Sequence, residues 1–400
     1  MRILLVSKWI DGGVKGSFHH SGVWRDTFEL ACAFSTLGHQ VAIVSPKPIQ
    51  THQKRFNIEF GKVLRKENVK HYMANSSAAS GKYEGSLMFR LDLTALRAIR
   101  DFKPDIIQFI QFTHTLINFF TNVPIFFWGV ILPKKYKNFE KDTNERLKEL
   151  SPLKFSPSVF FENLFYWFLL KFLRQENFYN CQEGRLISKH QKGLDFLKKK
   201  KLKNLSYIHK GVHFEKFSKI KTSQTQTVLF MGQLSWRKGI FDLIDVFLQV
   251  VAKFPKARLI IAGSGSPRII YALKKKAKNL KKQVKFTGAV SYQNKRQIFL
   301  KAGIFCLPSY ADASPGVLME AMASGLPIIT TYESDPLMKD GQEGLLIKAG
   351  DTKALSAAID RLLSDRTSAR QLGQVAKEKA SRYSWENQAK KFLRLYHEVI

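Results

Sequence analysis

Two carboxylates and an adjacent pair of cations are the residues of this chain best placed to do chemistry. Asp312 and Glu320 lie eight residues apart in the stretch PSYADASPGVLMEAMASGLP, from Pro308 to Pro327. Arg237 and Lys238 precede Gly239 in an earlier loop. A carboxylate accepts hydrogen bonds from neighbouring hydroxyls, as acidic residues do on ribose in dinucleotide sites. A guanidinium and an ammonium at a helix start stabilise phosphate. Fixed cations stabilise negative charge that grows as a bond breaks. Taken singly, Asp312 reads as a turn residue and Glu320 as a surface helix residue. Arg237-Lys238 alone is one basic pair among 65 Lys and Arg. No DxD pair occurs, so neither carboxylate is read as a metal ligand, and no metal site is expected.

Local sequence sets these residues at strand-to-helix junctions. The apolar run Ile304 to Leu307 stops at Pro308, which removes a ladder donor and turns the chain. A small-residue loop with Asp312, Ser314, Pro315 and Gly316 follows. Leu318, Ala321 and Met322 recur at helical spacing, so a helix starts near Gly316. Gly325 supplies a left-handed cap, Pro327 forbids continuation, and Ile328 to Thr330 is the next strand. Strand, loop, helix and parallel strand form a crossover whose loop lies where open α/β sheets bind ligands. Val228 to Met231, then Gly232 and the Arg237-Lys238-Gly239 loop, then the stripe Ile240, Leu243, Ile244, Phe247, Val251, repeat the pattern. The chain also opens this way: Ile3 to Val6, a loop with Gly12 and Gly13, a helical face through Phe28 and Phe34, and the strand Val41 to Val44. Further apolar runs at Ile106 to Ile110, Ile125 to Trp128, Leu186 to Ser188 and Leu205 to Ile208 complete a doubly wound parallel sheet in the first half.

The Pro308 to Pro327 stretch resembles the signature of the retaining, nucleotide-sugar-dependent glycosyltransferases of family 4. Pro308-Ser309, Asp312, Pro315, Glu320-Ala321-Met322-Ala323, Gly325 and Pro327 match it in order. Asp312 stands where the family usually has glutamate. His209 to Phe217 is similar to the segment P-N-G-V-D-x-x-x-F, with His209, Lys210 and His213 replacing Pro, Asn and Asp. Gln233 occupies a position where the family commonly has arginine, so Arg237 is expected to supply that cation. The resemblance implies the GT-B fold: α/β, two Rossmann-like doubly wound parallel-sheet domains facing across a cleft. It implies an acceptor-side domain at 1–217 with an insertion near 134–180, a nucleotide-sugar domain at 218–382 and a terminal helix at 383–400 crossing back. Asp312, Glu320, Lys238 and Arg237 are the implied catalytic residues. The donor would be bound by Gly12, Gly13, Gly232, Arg237, Lys238, Val290, Asp312, Ser314, Pro315, Gly316 and Glu320. The implied donor is a UDP- or GDP-sugar used as co-substrate, with no further cofactor expected. The implied reaction is retaining transfer of a hexosyl unit to a glycolipid or polysaccharide of the cell envelope. The alternatives are a nucleotide-sugar epimerase or phosphorylase of the same fold, or a catalytically inactive basic scaffold. Many family members carry a histidine after the strand equivalent to Ile125 to Trp128; here Trp128-Gly129-Val130 follows, and His19, His20 and His114 receive no role.

Bulk composition narrows the partners. Four hundred residues at 44% apolar suit two domains with a core each. Cys32, Cys181 and Cys306 have no paired spacing, which favours a reducing compartment. The opening apolar run is too short for a signal peptide, and no run of ~20 apolar residues exists for a spanning helix. The formal net charge is +33, with seven lysines and no acid from Lys274 to Lys285. Such charge implies an anionic partner, unless it is a habit of composition. No aromatic-basic motif supports nucleic acid. The aromatic stretch from Val159 to Leu173 is read either as a buried helix or as an interfacial helix dipping into a membrane. The expected location is cytoplasmic, peripheral on the inner face of the cytoplasmic membrane.

Overall fold

The computed structural model describes residues 1–7, 22–47, 62–74, 84–110, 115–117, 120–129, 185–220, 225–280, 282–312, 315–334 and 337–400. Gly12, Gly13, Ser314, the loop histidines 19, 20 and 114 and the stretch 134–180 lie outside them. The described residues divide into two compact units, one running up to His209 and including Trp385–Ile400, the other Lys210–Ser384.

The first unit holds a seven-stranded sheet in the order β3-β2-β1-β4-β5-β6-β7. The strands are β1 (Arg2–Val6), β2 (Gln40–Pro46), β3 (Lys70–Ala74), β4 (Ile106–Phe109), β5 (Ile125–Gly129), β6 (Arg185–Ser188) and β7 (Leu205–Tyr207). Every pairing is parallel. Strand side chains alternate between faces, and both faces are covered. Ile3, Leu5, Val41 and Ile43 pack with Trp24, Phe28 and Phe34 of the helix Gly22–Thr36. Leu4, Val6, Ala42 and Val44 pack with Met88, Leu91 and Ala95 of the helix Glu84–Phe102. This two-sided burial explains the near-continuous apolar runs.

The last helix, Trp385–His397, is part of this first core. Trp385 meets the edge of Trp128 at 6.2 Å, and Phe392 meets the same indole at 5.1 Å. The buried Tyr396 hydroxyl donates to Gln108 Oε1 at 3.1 Å.

The second unit holds a six-stranded sheet in the order β10-β9-β8-β11-β12-β13, also parallel throughout. Its strands are β8 (Thr227–Met231), β9 (Arg258–Ala262), β10 (Val284–Gly288), β11 (Ile304–Leu307), β12 (Ile328–Thr331) and β13 (Leu345–Ile347). The order reverses between β8 and β11, which makes their carboxyl ends the switch point where such sheets bind ligands.

The division between units differs from the one expected at residue 217. Phe214–Ser218 is a short helix of the second unit. Phe217 is fully buried there, edge-on to Phe299 at 5.6 Å and to Tyr292 at 6.1 Å. Val212 N donates to Tyr383 O at 2.9 Å, which ties the start of this unit to its end.

Candidate active site

The chain leaves β8 through Gly232, whose N–H donates to Ala262 O at 3.0 Å. It then makes a tight turn, Trp236–Lys238, ended by Gly239 in the left-handed region at φ 65°. A Cβ on Gly239 would stand 2.0 Å from Pro308 O, so only glycine lets this turn lie against the end of β11. Trp236 stacks flat on Phe241 at 3.5 Å. The turn is pinned to the loop after β11 along its length. Tyr310 N donates to Arg237 O at 2.8 Å, and Arg237 Nη1 donates to Ala311 O at 2.6 Å. Lys238 Nζ donates to Asp312 Oδ2, and Arg237 Nη1 stands 3.6 Å from Asp312 Oδ1. Sequence reading paired these residues by motif; the structure joins them by direct contact.

Lys238 is buried, and burial pushes its pKa below the ordinary lysine value. The neighbouring charges of Arg237 and Lys210 push the same way, while Asp312 opposes them. Lys210 enters the site from the segment that replaces the family's Pro-Asn-Gly. Its Nζ would lie 3.2 Å from a Cβ at Gly316. Gly316 opens the helix Gly316–Ala323, whose first turn has no acidic residue and whose N-cap, Pro315, makes no side-chain cap. The start of this helix, a nearby lysine and the Arg237-Lys238 pair form one positive locus.

Glu320 lies farther along that helix and is half-buried. Lys295 Nζ donates to both of its oxygens, at 2.8 and 2.7 Å. No sequence signal marked Lys295, because the pairing joins two helices that the chain alone does not bring together. Val290, in the loop between β10 and Lys295, packs half-buried against the second core. Tyr310 was missed as well: its hydroxyl donates to Asp242 Oδ2 at 2.7 Å, and burial with that bond pushes its pKa up to about 12. The hydroxyls of Ser235 and Ser309, at the two strand ends, are buried with no hydrogen-bond partner among the described residues. Buried polar atoms rarely stay unsatisfied, and these two flank the cationic turn.

The two parallel-sheet units are those of a GT-B fold. Sucrose-phosphate synthase from Thermosynechococcus elongatus superposes with a TM-score of 0.73 at 18% identity, over 100% of this chain and 98% of that one. HepE of Anabaena, solved with UDP, superposes at 0.68 with 16% identity over 100% of both chains. Residues 212–379, within the second unit, match the model of the family Glycosyl transferases group 1. Phosphatidyl-myo-inositol mannosyltransferase of Mycobacterium leprae (strain TN) is 32% identical over 179 residues, 44% of this chain and 47% of that protein. The chain thus spans about half the length of the curated relatives it matches. Among the described residues, no helix is long and apolar enough to cross a membrane.

Proposed function

We propose that the protein is a retaining glycosyltransferase. It would move a hexosyl unit from a UDP- or GDP-sugar to a glycolipid or polysaccharide acceptor of the cell envelope. The observation that carries this reading is the Arg237-Lys238-Asp312 contact beside the start of Gly316–Ala323. In the reaction, the bond from the anomeric carbon to the β-phosphate oxygen breaks, and the acceptor hydroxyl oxygen bonds to that carbon. The hydroxyl proton passes to the departing phosphate. Negative charge grows on the diphosphate, and fixed cations and helix N–H groups stabilise it most at the transition state. Arg237 and Lys238 would face that charge. Asp312 would accept from hexose hydroxyls, and Glu320 from the ribose diol. The backbone of Pro315 and Gly316, with Gly232 and Val290, would line the donor.

Retention and the choice of donor are supported by the family resemblance, and HepE, of the same fold, was solved with UDP. An anionic membrane on the cytoplasmic side is proposed as the place of action, supported by the +33 charge. A thermal-shift screen of UDP-, GDP- and ADP-sugars tests the donor, because a ligand that binds only the folded state raises its stability. Transfer or donor hydrolysis should follow with the stabilising sugar and should persist in EDTA, since the cations take a metal's place. No shift with any nucleotide sugar, or turnover lost on chelation and restored by Mg²⁺, would sink the corresponding part.

A further inference from the structure

We propose that the amino-terminal end of the second unit's sheet is the surface that docks the protein on an anionic lipid leaflet. It lies at the opposite end of the strands from the candidate active site. Main-chain bonds gather the strand starts there: Arg258 N to Gln226 O at 3.0 Å, Leu259 N to Gln283 O at 2.8 Å and Gly303 N to Thr227 O at 2.8 Å. A hollow of about 560 Å³ opens at this end, with Leu259, Val284 and Phe286 in its wall. Arg258, Lys282, Lys285 and Lys301 are the charged residues lining it, and no carboxylate does. All four cations are exposed. Arg258 Nη1 donates to Lys282 O at 3.0 Å, which holds the guanidinium at the rim.

The surroundings extend the same character. The helix Pro267–Lys276 ends in Lys274, Lys275 and Lys276, just before the chain turns into β10. Tyr271, one turn earlier, is 71% exposed. Two nearby carboxylates are already engaged: Lys276 Nζ meets Asp245 at 2.6 Å, and Lys253 Nζ meets Asp360 at 2.9 Å. Cations around an apolar wall, with an exposed tyrosine beside them, fit the headgroup layer, where charge and hydrocarbon meet. A nucleic acid would use the cations but leave the apolar wall without a role. Strands of this length separate the hollow from Lys238 and Asp312 by roughly 17 Å. Docking here leaves the site's own cations to the donor.

The inference rests on the reading of an anionic membrane as partner and is independent of the transfer reaction. Its test is co-sedimentation with phosphatidylglycerol-containing vesicles and with pure phosphatidylcholine vesicles. Wild type should bind the former only. The triple variant Lys282→Gln, Lys285→Gln, Lys301→Gln should bind them on the order of a hundredfold more weakly, at about a factor of five per lysine. A charge-matched control in the first unit, Lys198→Gln, Lys199→Gln, Lys203→Gln, should keep wild-type binding. Nucleotide-induced thermal shifts should be unchanged in both variants. Equal loss in the two variants would show diffuse charge attraction and overturn the surface. Unchanged binding by the first variant would do the same. Binding of duplex DNA without binding of vesicles at equal ionic strength would reassign the partner. Failure of wild type to bind any anionic vesicle would remove the membrane reading along with this one.

Discussion

Glu320 and Lys238 each arrive at the site with a partner: Lys295 for the first, Asp312 for the second. A carboxylate gripped at both oxygens by one ammonium keeps lone pairs for a diol and is held in place before the diol arrives. Lys238→Ala should lower transfer by about 100- to 1,000-fold, the usual cost of one transition-state contact, and Glu320→Ala should weaken donor binding and transfer together, because the ribose diol loses its acceptor. Their melting temperatures should stay near wild type; full activity in either purified variant removes that residue from the machinery. A second titration lies away from the site. His71 stacks on Trp24 at 5.6 Å and meets the buried Ser45 hydroxyl at 2.7 Å, and burial lowers its pKa to about 4. Between the ordinary histidine value of 6.5 and about 4, the unfolded chain holds a proton that the folded chain refuses. Stability should therefore fall on acidification through that window, by roughly 1–3 kcal/mol. Denaturant unfolding across it should show a shallower slope in His71→Gln. Motif order made Asp312, Glu320 and Lys238 legible in the sequence. Lys295, Tyr310 and the approach of Lys210 to Gly316 were not, because each depends on how separate elements pack.

At the scale of elements, the site depends on the turn Trp236–Lys238 lying flush against the end of β11. Gly239→Ala would place a methyl carbon against Pro308 O and strain a left-handed backbone. A cost of about 1–3 kcal/mol is expected from the conformation alone. The turn must move to relieve it, and Arg237 and Lys238 move with it. Calorimetry should show the destabilisation, and donor affinity should drop although no donor contact was deleted. A normal melting temperature with normal affinity would contradict this geometry. The strand-loop-helix-strand unit around Glu320 was readable because Pro308, Gly325 and Pro327 punctuate it; Gly325 does sit at φ 73°. The turn Trp236–Lys238 was placed as a loop entering a helix, and its shape was not readable. Three residues have no periodicity, and long-range bonds from Tyr310 and Arg237 fix it.

For the whole molecule, the units are not consecutive stretches of chain. The family resemblance implied a first division at residue 217. The fold divides after His209 instead, since Phe217 belongs to an aromatic cluster with Phe299 and Tyr292. A fragment of residues 210–384 should fold alone, melt cooperatively and retain nucleotide affinity. A fragment of residues 1–209 should be aggregation-prone, because Trp128, Phe34 and Phe126 lose the aromatic cover of Trp385, Phe392 and Tyr396. Adding residues 385–400 as a separate peptide should restore solubility. A soluble, cooperative 1–209 fragment would show that the last helix is dispensable to that core.

The placement of Trp385–Ile400 with the first unit also sets a timetable on the ribosome. Domains commonly fold in the order in which they are made. Here the sheet that is translated first must wait, with Trp128 uncovered, until the helix carrying Phe392 and Tyr396 leaves the exit tunnel. The second unit, translated later, has all of its strands and helices before that helix emerges, so it finishes first. Through that interval the rings of Phe34, Phe126 and Trp128 lack the cover of Trp385, Phe392 and Tyr396, and that aromatic patch is where a chaperone would find a binding site.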